Sequence, residues 1–328
     1  KFSLKLYIKR TMKNFNFNLK FLKTISLLSL LIVSNLVTIS SSEAFPIYAQ
    51  NAYANPREAN GRIACANCHL AQKVTEVEAP KSVLPNTVFE IEVKIPYDLN
   101  SKQVLATGKT GGLNVGAVVV LPEGFKLAPA NKLSAETKAK TKGVYISPYS
   151  AKQENILVVG PIAGDKHQEI TFPILSPDPA TNPDVNFVKY PIYAGANRGR
   201  GQVNPNGEKS NNVLTQATAS GQISSIEKTD KGGYKVSIKK ADGNVVVSEI
   251  LPGPNLIVKE NDLVTVEQAL TNDPNVGGFG QTDTEIVLQS AARIYGYIAI
   301  VLLILLCQIF LVLKKKQFEK VQAAEMNF

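Results

Sequence analysis

The sequence contains few of the residues that build disulfide scaffolds and metal centres. Its 328 residues include no tryptophan, three cysteines, two histidines and two methionines. Three cysteines cannot build a disulfide-dense fold, and two histidines leave little scope for a multi-histidine metal centre. The composition, 44% hydrophobic and 19% charged, also excludes collagen-like, coiled-coil and wholly disordered classes. A folded chain of about two domains is expected from this length.

The formal net charge of +9 is concentrated at the two ends of the chain. Residues 1–44 hold seven basic residues and one acidic residue, and residues 314–328 hold four and two. The segment 45–293 is nearly neutral, with 25 basic and 24 acidic residues. Because it lacks a strongly basic folded domain, the chain is predicted to have no nucleic-acid partner.

The first 44 residues have the pattern of a secretory signal peptide. Basic residues up to Lys23 precede an apolar stretch over 25–37, and small residues then lead to Ala44. The apolar stretch is short for a membrane span, which disfavours an uncleaved anchor. Met12 opens a well-proportioned signal peptide and is therefore a candidate for the true start.

Residues 294–313 are predicted to form a transmembrane helix. They contain no charged residue, and about 20 residues are needed to cross a bilayer. Three consecutive lysines from Lys314 follow the span, so the positive-inside rule assigns the tail, 314–328, to the side of synthesis. Cys307 lies within the span and is explained as a small apolar residue.

Short apolar runs between turn residues predict a mainly β exported part. Residues 89–95 alternate strictly between apolar and polar, as in a half-buried strand. Further runs predict an antiparallel β-sandwich, and they cover residues 115–121, 156–162, 169–175 and 187–193. Asn55 and Pro56 predict a helix start over 55–64.

A second, smaller β domain is predicted over 213–271, after a polar linker at 204–212. Asp242-Gly243 between two apolar runs is a hairpin signal. Another strand follows at 285–288 and is expected to rejoin the sandwich. The large domain would then comprise 45–212 and 272–293, with the small domain as an insertion.

Cys65-Ala66-Asn67-Cys68-His69 has the spacing of a c-type haem attachment motif. In such motifs the two thiols form thioethers with the haem, and the adjacent histidine ligates the iron. A zinc site is disfavoured because His167 is about a hundred residues away. A thioredoxin-like redox pair would need a βαβ setting that the sequence lacks.

The residues leave the sixth iron ligand open between two kinds of amine. Met12 lies in the signal peptide and Met326 beyond the membrane span, and His167 lies in a polar turn typical of a surface histidine. What remains is a lysine or the amino terminus that cleavage after Ala44 would release. That terminus loses its proton more easily, since its pKa is near 7.7–8.0 and that of lysine is near 10.4.

Several longer motifs resemble those of the cytochrome f family, and the match extends from Phe45 to Phe328. They are Phe45-Pro-Ile-Tyr-Ala-Gln50, Asn55-Pro-Arg-Glu58, Cys65-Ala-Asn-Cys-His-Leu70, Gly112-Leu-Asn-Val-Gly-Ala117, Gly195-Ala-Asn-Arg-Gly-Arg-Gly-Gln202 and Asn275-Val-Gly-Gly-Phe-Gly280. The resemblance implies an immunoglobulin-like sandwich with an inserted biotinyl-carrier-like barrel.

The resemblance also implies a function. The chain would be a membrane-anchored c-type cytochrome of the cytochrome b6f complex, carrying electrons from the Rieske iron-sulfur protein to plastocyanin or cytochrome c6. It would not be an enzyme by itself but an electron-transfer subunit of the plastoquinol-plastocyanin reductase complex. It would cross the thylakoid membrane of a plastid or cyanobacterium once, with its bulk in the lumen and its C-terminus on the stromal side.

The resemblance further implies roles for particular residues. One haem c would be bound covalently at Cys65 and Cys68, with His69 and the α-amine of Phe45 as axial iron ligands. An internal water chain would be held by Gln103, Asn197, Gln202, Asn212 and Asn275, although their spacing alone also suits ordinary turn amides. Acceptor docking would involve Lys102, Lys109, Lys228 and Lys231. Thr110 and Asp230 interrupt this patch, so we expect it to be weaker here.

Two other functional classes compete with an electron carrier. A catalytic haem enzyme needs an open iron position and distal acid and base groups, for which His167 is the one spare histidine. A carrier module would need a Met-Lys-Met type lysine, and residues 213–271 contain none.

Overall fold

The computed structural model describes residues 46–326. The predicted signal peptide with Met12, and Phe45, lie outside the described residues. Within them, sixteen strands form in chain order: β1 Glu76–Glu78, β2 Ser82–Val83, β3 Val88–Lys94, β4 Gln103–Val104, β5 Thr110–Gly111, β6 Asn114–Val120, β7 Lys126–Leu127, β8 Ile146–Ser150, β9 Gln153–Ala163, β10 Glu169–Leu175, β11 Lys189–Arg198, β12 Gly221–Lys228, β13 Tyr234–Lys239, β14 Val245–Ile250, β15 Leu263–Val264 and β16 Gly278–Leu288. The α-helices are α1 Pro46–Ala52, α2 Ala135–Lys140 and α3 Ala291–Glu325.

Two sheets pack face to face around the main core. One has four strands in the order β1-β3-β10-β7, and the other has six in the order β2-β16-β11-β6-β9-β8. In β3, Phe89, Ile91 and Val93 are buried and the residues between them are half-buried. This alternation follows because successive side chains of a strand point to opposite faces. The predicted half-buried strand therefore forms one wall of the sandwich.

Strand β6 is apolar on both faces because both faces are covered. Val115, Ala117 and Val119 belong to the main core, whereas Val118 belongs to a separate cluster on the outer face of the six-stranded sheet. That outer cluster comprises Ile63, Val118, Tyr149, Ile156, Val158 and Phe279. The amino-terminal part of the described chain packs on this outer face.

The chain leaves the six-stranded sheet after β11 and returns to it with β16. Strand β16 pairs antiparallel with β11 and parallel with β2. Between them, a sheet of order β14-β13-β12-β15 surrounds its own core, which includes Ile223, Val236 and Ile238. Gly243 turns the β13–β14 hairpin at φ +84°, as its sequence predicts. The mainly β fold class is confirmed, and the domain boundaries at 212 and 272 stay a prediction.

The helix predicted over residues 55–64 does not form. The side-chain oxygen of Asn55 accepts a hydrogen bond from the backbone N–H of Arg57 at 3.0 Å, and Arg57 makes an antiparallel bridge with Ile63. The backbone N–H of Ile63 donates to Oε1 of Gln281 at 2.9 Å. The prediction was wrong because this contact with β16 outweighs the local helix-start signals.

Helix α3 is the membrane-spanning element predicted from the sequence. Among residues 46–326 it is the one helix long and apolar enough to cross a bilayer. Its amino terminus is capped by the side chain of Ser290, which accepts from the backbone N–H of Arg293. At 1.5 Å per residue its 35 residues extend about 52 Å, beyond the roughly 30 Å hydrocarbon core.

Candidate functional site

An apolar cleft opens on the outer face of the six-stranded sheet. It encloses about 770 Å³ of space, including its opening to solvent. Helix α1 lies along one wall, and side chains from β9 and β16 contribute Val158 and Phe279. Cys65, Cys68 and His69 all line this cleft, so the structure brings the whole predicted attachment motif to one place.

A short 3₁₀ turn, Ala64–Asn67, presents the motif to the cleft. The carbonyl oxygen of Cys65 accepts hydrogen bonds from the backbone N–H groups of Cys68 at 3.3 Å and of His69 at 3.0 Å. This tight turn groups the two thiols and the imidazole within one stretch of backbone. The His69 side chain is 4% exposed, so its position is fixed by packing.

The segment that follows β11 is hydrogen-bonded to the backbone of the attachment motif. Oε1 of Gln202 accepts from the backbone N–H of Leu70 at 2.8 Å, and the backbone N–H of Gln202 donates to the carbonyl of Cys68 at 2.7 Å. These bonds clamp the backbone on both sides of His69. Gln202 therefore fixes the direction from which the imidazole enters the cleft.

Burial keeps both thiols neutral. It raises the pKa of the Cys65 thiol to about 12, and it also raises the pKa of the Cys68 thiol. Two thiols and an imidazole facing an apolar cleft are the donor set that a covalently attached haem requires. The residues present therefore fit such a group.

The amine predicted as the sixth ligand belongs to Phe45, which lies outside the described residues. The residue bonded to it, Pro46, opens helix α1 and lines the cleft. His167 lies in the turn between β9 and β10, where its Nδ1 is 2.8 Å from the carbonyl oxygen of Ala163. It is not among the residues that line the cleft.

Four of the five amides predicted to hold water lie in one network centred on Arg200. The backbone N–H of Arg200 donates to Oε1 of Gln103 at 2.7 Å. Its carbonyl oxygen accepts from Nε2 of Gln202 at 3.2 Å and from Nδ2 of Asn212 at 2.9 Å. Nδ2 of Asn212 also lies 3.4 Å from Oδ1 of Asn275. We call Gln103, Gln202, Asn212 and Asn275 the amide cluster.

The fifth predicted amide, Asn197, lies on the cleft wall. In the amide cluster, Oδ1 of Asn212 is buried and has no protein partner among the described residues. A buried amide oxygen of this kind is commonly satisfied by ordered water. The sequence predicts a linker over 204–212. In the structure this segment ends at Asn212, whose side chain is buried and hydrogen-bonded.

The four predicted docking lysines are exposed and lie in or beside two loops that both approach Pro252. Lys102 and Lys109 flank β4 and β5, and Lys228 and Lys231 lie at the end of β12 and in the turn after it. A Cβ placed on Gly108 would lie 2.8 Å from the Cβ of Pro252, and one on Gly232 would lie 3.9 Å from it. Both loops therefore approach Pro252.

Sequence reasoning missed Tyr149, Gly195 and Gln281, which shape the cleft. Tyr149 is 4% exposed and lines the cleft, and Gly195 lies in its floor against Phe279. Gln281 holds the backbone before the motif. Gly195 opens one of the family motifs, but no local signal assigns a role to any of these residues, because each acts on a segment at least 84 residues away in the chain.

Comparisons with known proteins agree with this architecture. The chain matches the family model described as apocytochrome F, N-terminal, over residues 45–199, and apocytochrome F, C-terminal, over residues 211–328. It is 63% identical to cytochrome f of Pyropia yezoensis over 91% of this chain and 94% of that protein. It is also 59% identical to cytochrome f of Rhodomonas salina and 58% identical to that of Marchantia polymorpha, in each case over 97% of this chain and all of the relative. With both halves matched and the thiols and imidazole facing one cleft, the chain belongs to the cytochrome f family, the c-type electron-transfer subunits of the cytochrome b6f complex in the thylakoid membrane.

Proposed function

We propose that this chain carries one haem, bound covalently through Cys65 and Cys68, and passes electrons from the Rieske protein to a soluble acceptor. The observation that carries the proposal is the convergence of both thiols and His69 on one apolar cleft. The acceptor is plastocyanin or cytochrome c6, and the reaction is the last step of the plastoquinol-plastocyanin reductase complex.

The haem, when bound, supplies one-electron redox chemistry. The chain's own residues attach it, exclude water from one face and fix the imidazole. Phe279 and Val158 provide apolar walls, and Gln202 clamps the backbone around His69. This rigid setting suits an electron carrier because little has to move when the charge changes.

A reduced-minus-oxidised optical spectrum of the purified full-length protein tests the function. We expect a reversible c-type spectrum and no more than trace carbon monoxide binding, because His69 and the Phe45 amine would both ligate the iron. Rapid carbon monoxide binding would contradict the proposal and favour a catalytic haem enzyme with an open iron position.

The α-amine of Phe45 is proposed as the second axial ligand. The proposal is supported by Pro46, which lines the cleft one residue away. Ala44→Leu should block signal cleavage and leave haem attached with an altered ligand-field spectrum. Phe45→Tyr is the matched control, because it changes the side chain and keeps the amine. An unchanged spectrum in the uncleaved Ala44→Leu protein would assign the ligand to a lysine or to His167.

The amide cluster and Asn197 are proposed to hold an internal chain of water molecules. The proposal is supported by the network around Arg200 and by the Asn212 side-chain oxygen, which has no protein partner within residues 46–326. Asn211 extends the network, since its Nδ2 donates to the carbonyl oxygens of Leu105 at 2.9 Å and Pro252 at 2.6 Å. These contacts link the cluster to the lysine-bearing loops.

For topology, we propose that residues 45–293 lie in the lumen and that the tail, 314–328, is stromal. Lys314 and the two lysines that follow it support this orientation. The large domain comprises 45–212 and 272–293, and the small domain comprises 213–271. The return of β16 to β11 supports this division.

Replacing Lys102, Lys109 and Lys231 by glutamine should slow electron transfer to an acidic acceptor about tenfold at low salt. The difference should shrink at physiological ionic strength, where the screening length falls to about 8 Å. Stopped-flow kinetics at two ionic strengths measures this effect.

Lys138, Lys142 and Lys152 provide a matched control, because they are exposed and their replacement by glutamine changes the net charge equally. Equal slowing in both triple variants would show a general charge effect. A rate equal to that of the parent at low salt would remove the lysines from the docking site.

A further inference from the structure

Helix α1 is too short and too exposed to hold its own position. It has seven residues and none of them is buried. Isolated helices shorter than about 12–15 residues are marginal in water, and helices in proteins usually depend on a buried apolar face. Contacts from elsewhere in the chain must therefore fix α1 against the cleft.

Tyr149, at the end of β8, supplies the principal polar contact. Its hydroxyl lies 2.6 Å from the carbonyl oxygen of Ala49 and 2.7 Å from that of Tyr53, and its single proton is shared between these two acceptors. Ala49 lies within α1, and Tyr53 follows the end of the helix. The Ala49 carbonyl also accepts the backbone N–H of Tyr53 at 2.9 Å, whereas the Tyr53 carbonyl lies past the end of the helix, so Tyr149 holds the last turn of α1 from another strand.

A reciprocal bond runs from the helix back to the same residue. Nε2 of Gln50 donates to the carbonyl oxygen of Tyr149 at 2.8 Å. Strand β8 and helix α1 are therefore joined in both directions across about a hundred residues of sequence.

The Tyr149 hydroxyl is suited to this role and is not needed for packing. The side chain is 4% exposed and lies in the outer cluster, where phenylalanine would fill the same apolar volume. A buried hydroxyl costs stability unless it is hydrogen-bonded. Burial raises the pKa of Tyr149 to about 12, so the hydroxyl keeps its proton and donates at neutral pH.

We propose that Tyr149 is a positioning residue that holds α1, and with it the amine of the preceding residue, over the iron site. This inference rests on the proposed function, in which the α-amine of Phe45 is an axial ligand. Pro46 lines the cleft and is bonded to Phe45, so a shift of α1 moves that amine directly. Loosening α1 should therefore open the sixth iron position without breaking the thioethers.

The test compares full-length holoproteins carrying Tyr149→Phe and Tyr190→Phe. Tyr190 is the matched control, because its hydroxyl donates to the carbonyl of Asn186 at 2.8 Å and it does not line the cleft. In Tyr149→Phe we expect unchanged covalent haem content and carbon monoxide uptake by the reduced protein about tenfold above the trace level of the closed parent, as for loss of one strong hydrogen bond. The control should behave like the parent.

A second variant guards against misfolding. Gln50→Met removes the reciprocal bond from a half-buried helix position and should increase uptake in the same direction, by a smaller factor. If Tyr149→Phe and Gln50→Met both hold haem and match a closed parent, Tyr149 has no positioning role. If the parent itself takes up carbon monoxide as fast as the variants, the proposed ligand set fails and the role of Tyr149 fails with it.

Discussion

Replacing Cys65 and Cys68 together by alanine is expected to remove all covalently bound haem from the polypeptide. The described chain has three cysteines, and these two are the ones that line the cleft. Each thioether needs a sulfur atom, so the double variant retains no bond that survives acid-acetone extraction. Haem staining of denatured protein after extraction measures the effect.

The chain provides its own control for this experiment. Cys307 lies in α3, outside the cleft, so Cys307→Ala should keep the full amount of bound haem. The single variants Cys65→Ala and Cys68→Ala should each retain one possible thioether. Extraction-resistant haem in the double variant would contradict the assignment of the attachment site.

A side chain at Gly195 is expected to disrupt the cleft floor. A Cβ placed there would lie 2.6 Å from Cζ of Phe279 and 2.9 Å from Cδ1 of Ile63. Both neighbours are buried, and Ile63 directly precedes the 3₁₀ turn that carries the attachment motif. Gly195→Val should therefore cost about 1–3 kcal/mol of unfolding free energy by overpacking, and it should lower haem incorporation.

Gly112→Val is the matched control for this substitution. Gly112 is exposed, and a Cβ placed on it meets no atom within 4 Å. Surface substitutions of this kind usually change stability by less than about 0.5 kcal/mol. Thermal unfolding and haem content measure both variants, and a Gly195→Val protein with parental values would contradict the close packing of the floor.

Strands with a regular apolar pattern in the sequence could be predicted. Strand β3 alternates between apolar and polar residues because one of its faces packs on the core. Strand β6 is a continuous apolar run because both of its faces are covered. The attachment motif was also predictable, because its chemistry needs only five consecutive residues. In these cases the information is local.

Elements held by distant residues could not be predicted. Helix α1 has no fully buried residue and is hydrogen-bonded by Tyr149, and the segment 55–64 follows Gln281 rather than its own helix signals. The amide Asn212 lies in a polar stretch typical of a linker, yet it is fully buried in the structure. Its side chain contacts Arg200 and Asn275, which lie 12 and 63 residues away in the chain.

Because the chain returns to the sheet only with β16, the parts of the cleft are synthesised at widely separated times. Phe279 and Gln281, which wall and anchor the site, are synthesised 211 and 213 residues after Cys68. At about 5–20 residues per second, translation covers that distance in about 10–40 s. During this interval the cleft lacks the wall that Phe279 provides. Phe279 then closes the floor of the cleft beside Gly195, so the site takes its final shape only when the last strand of the sheet has been added.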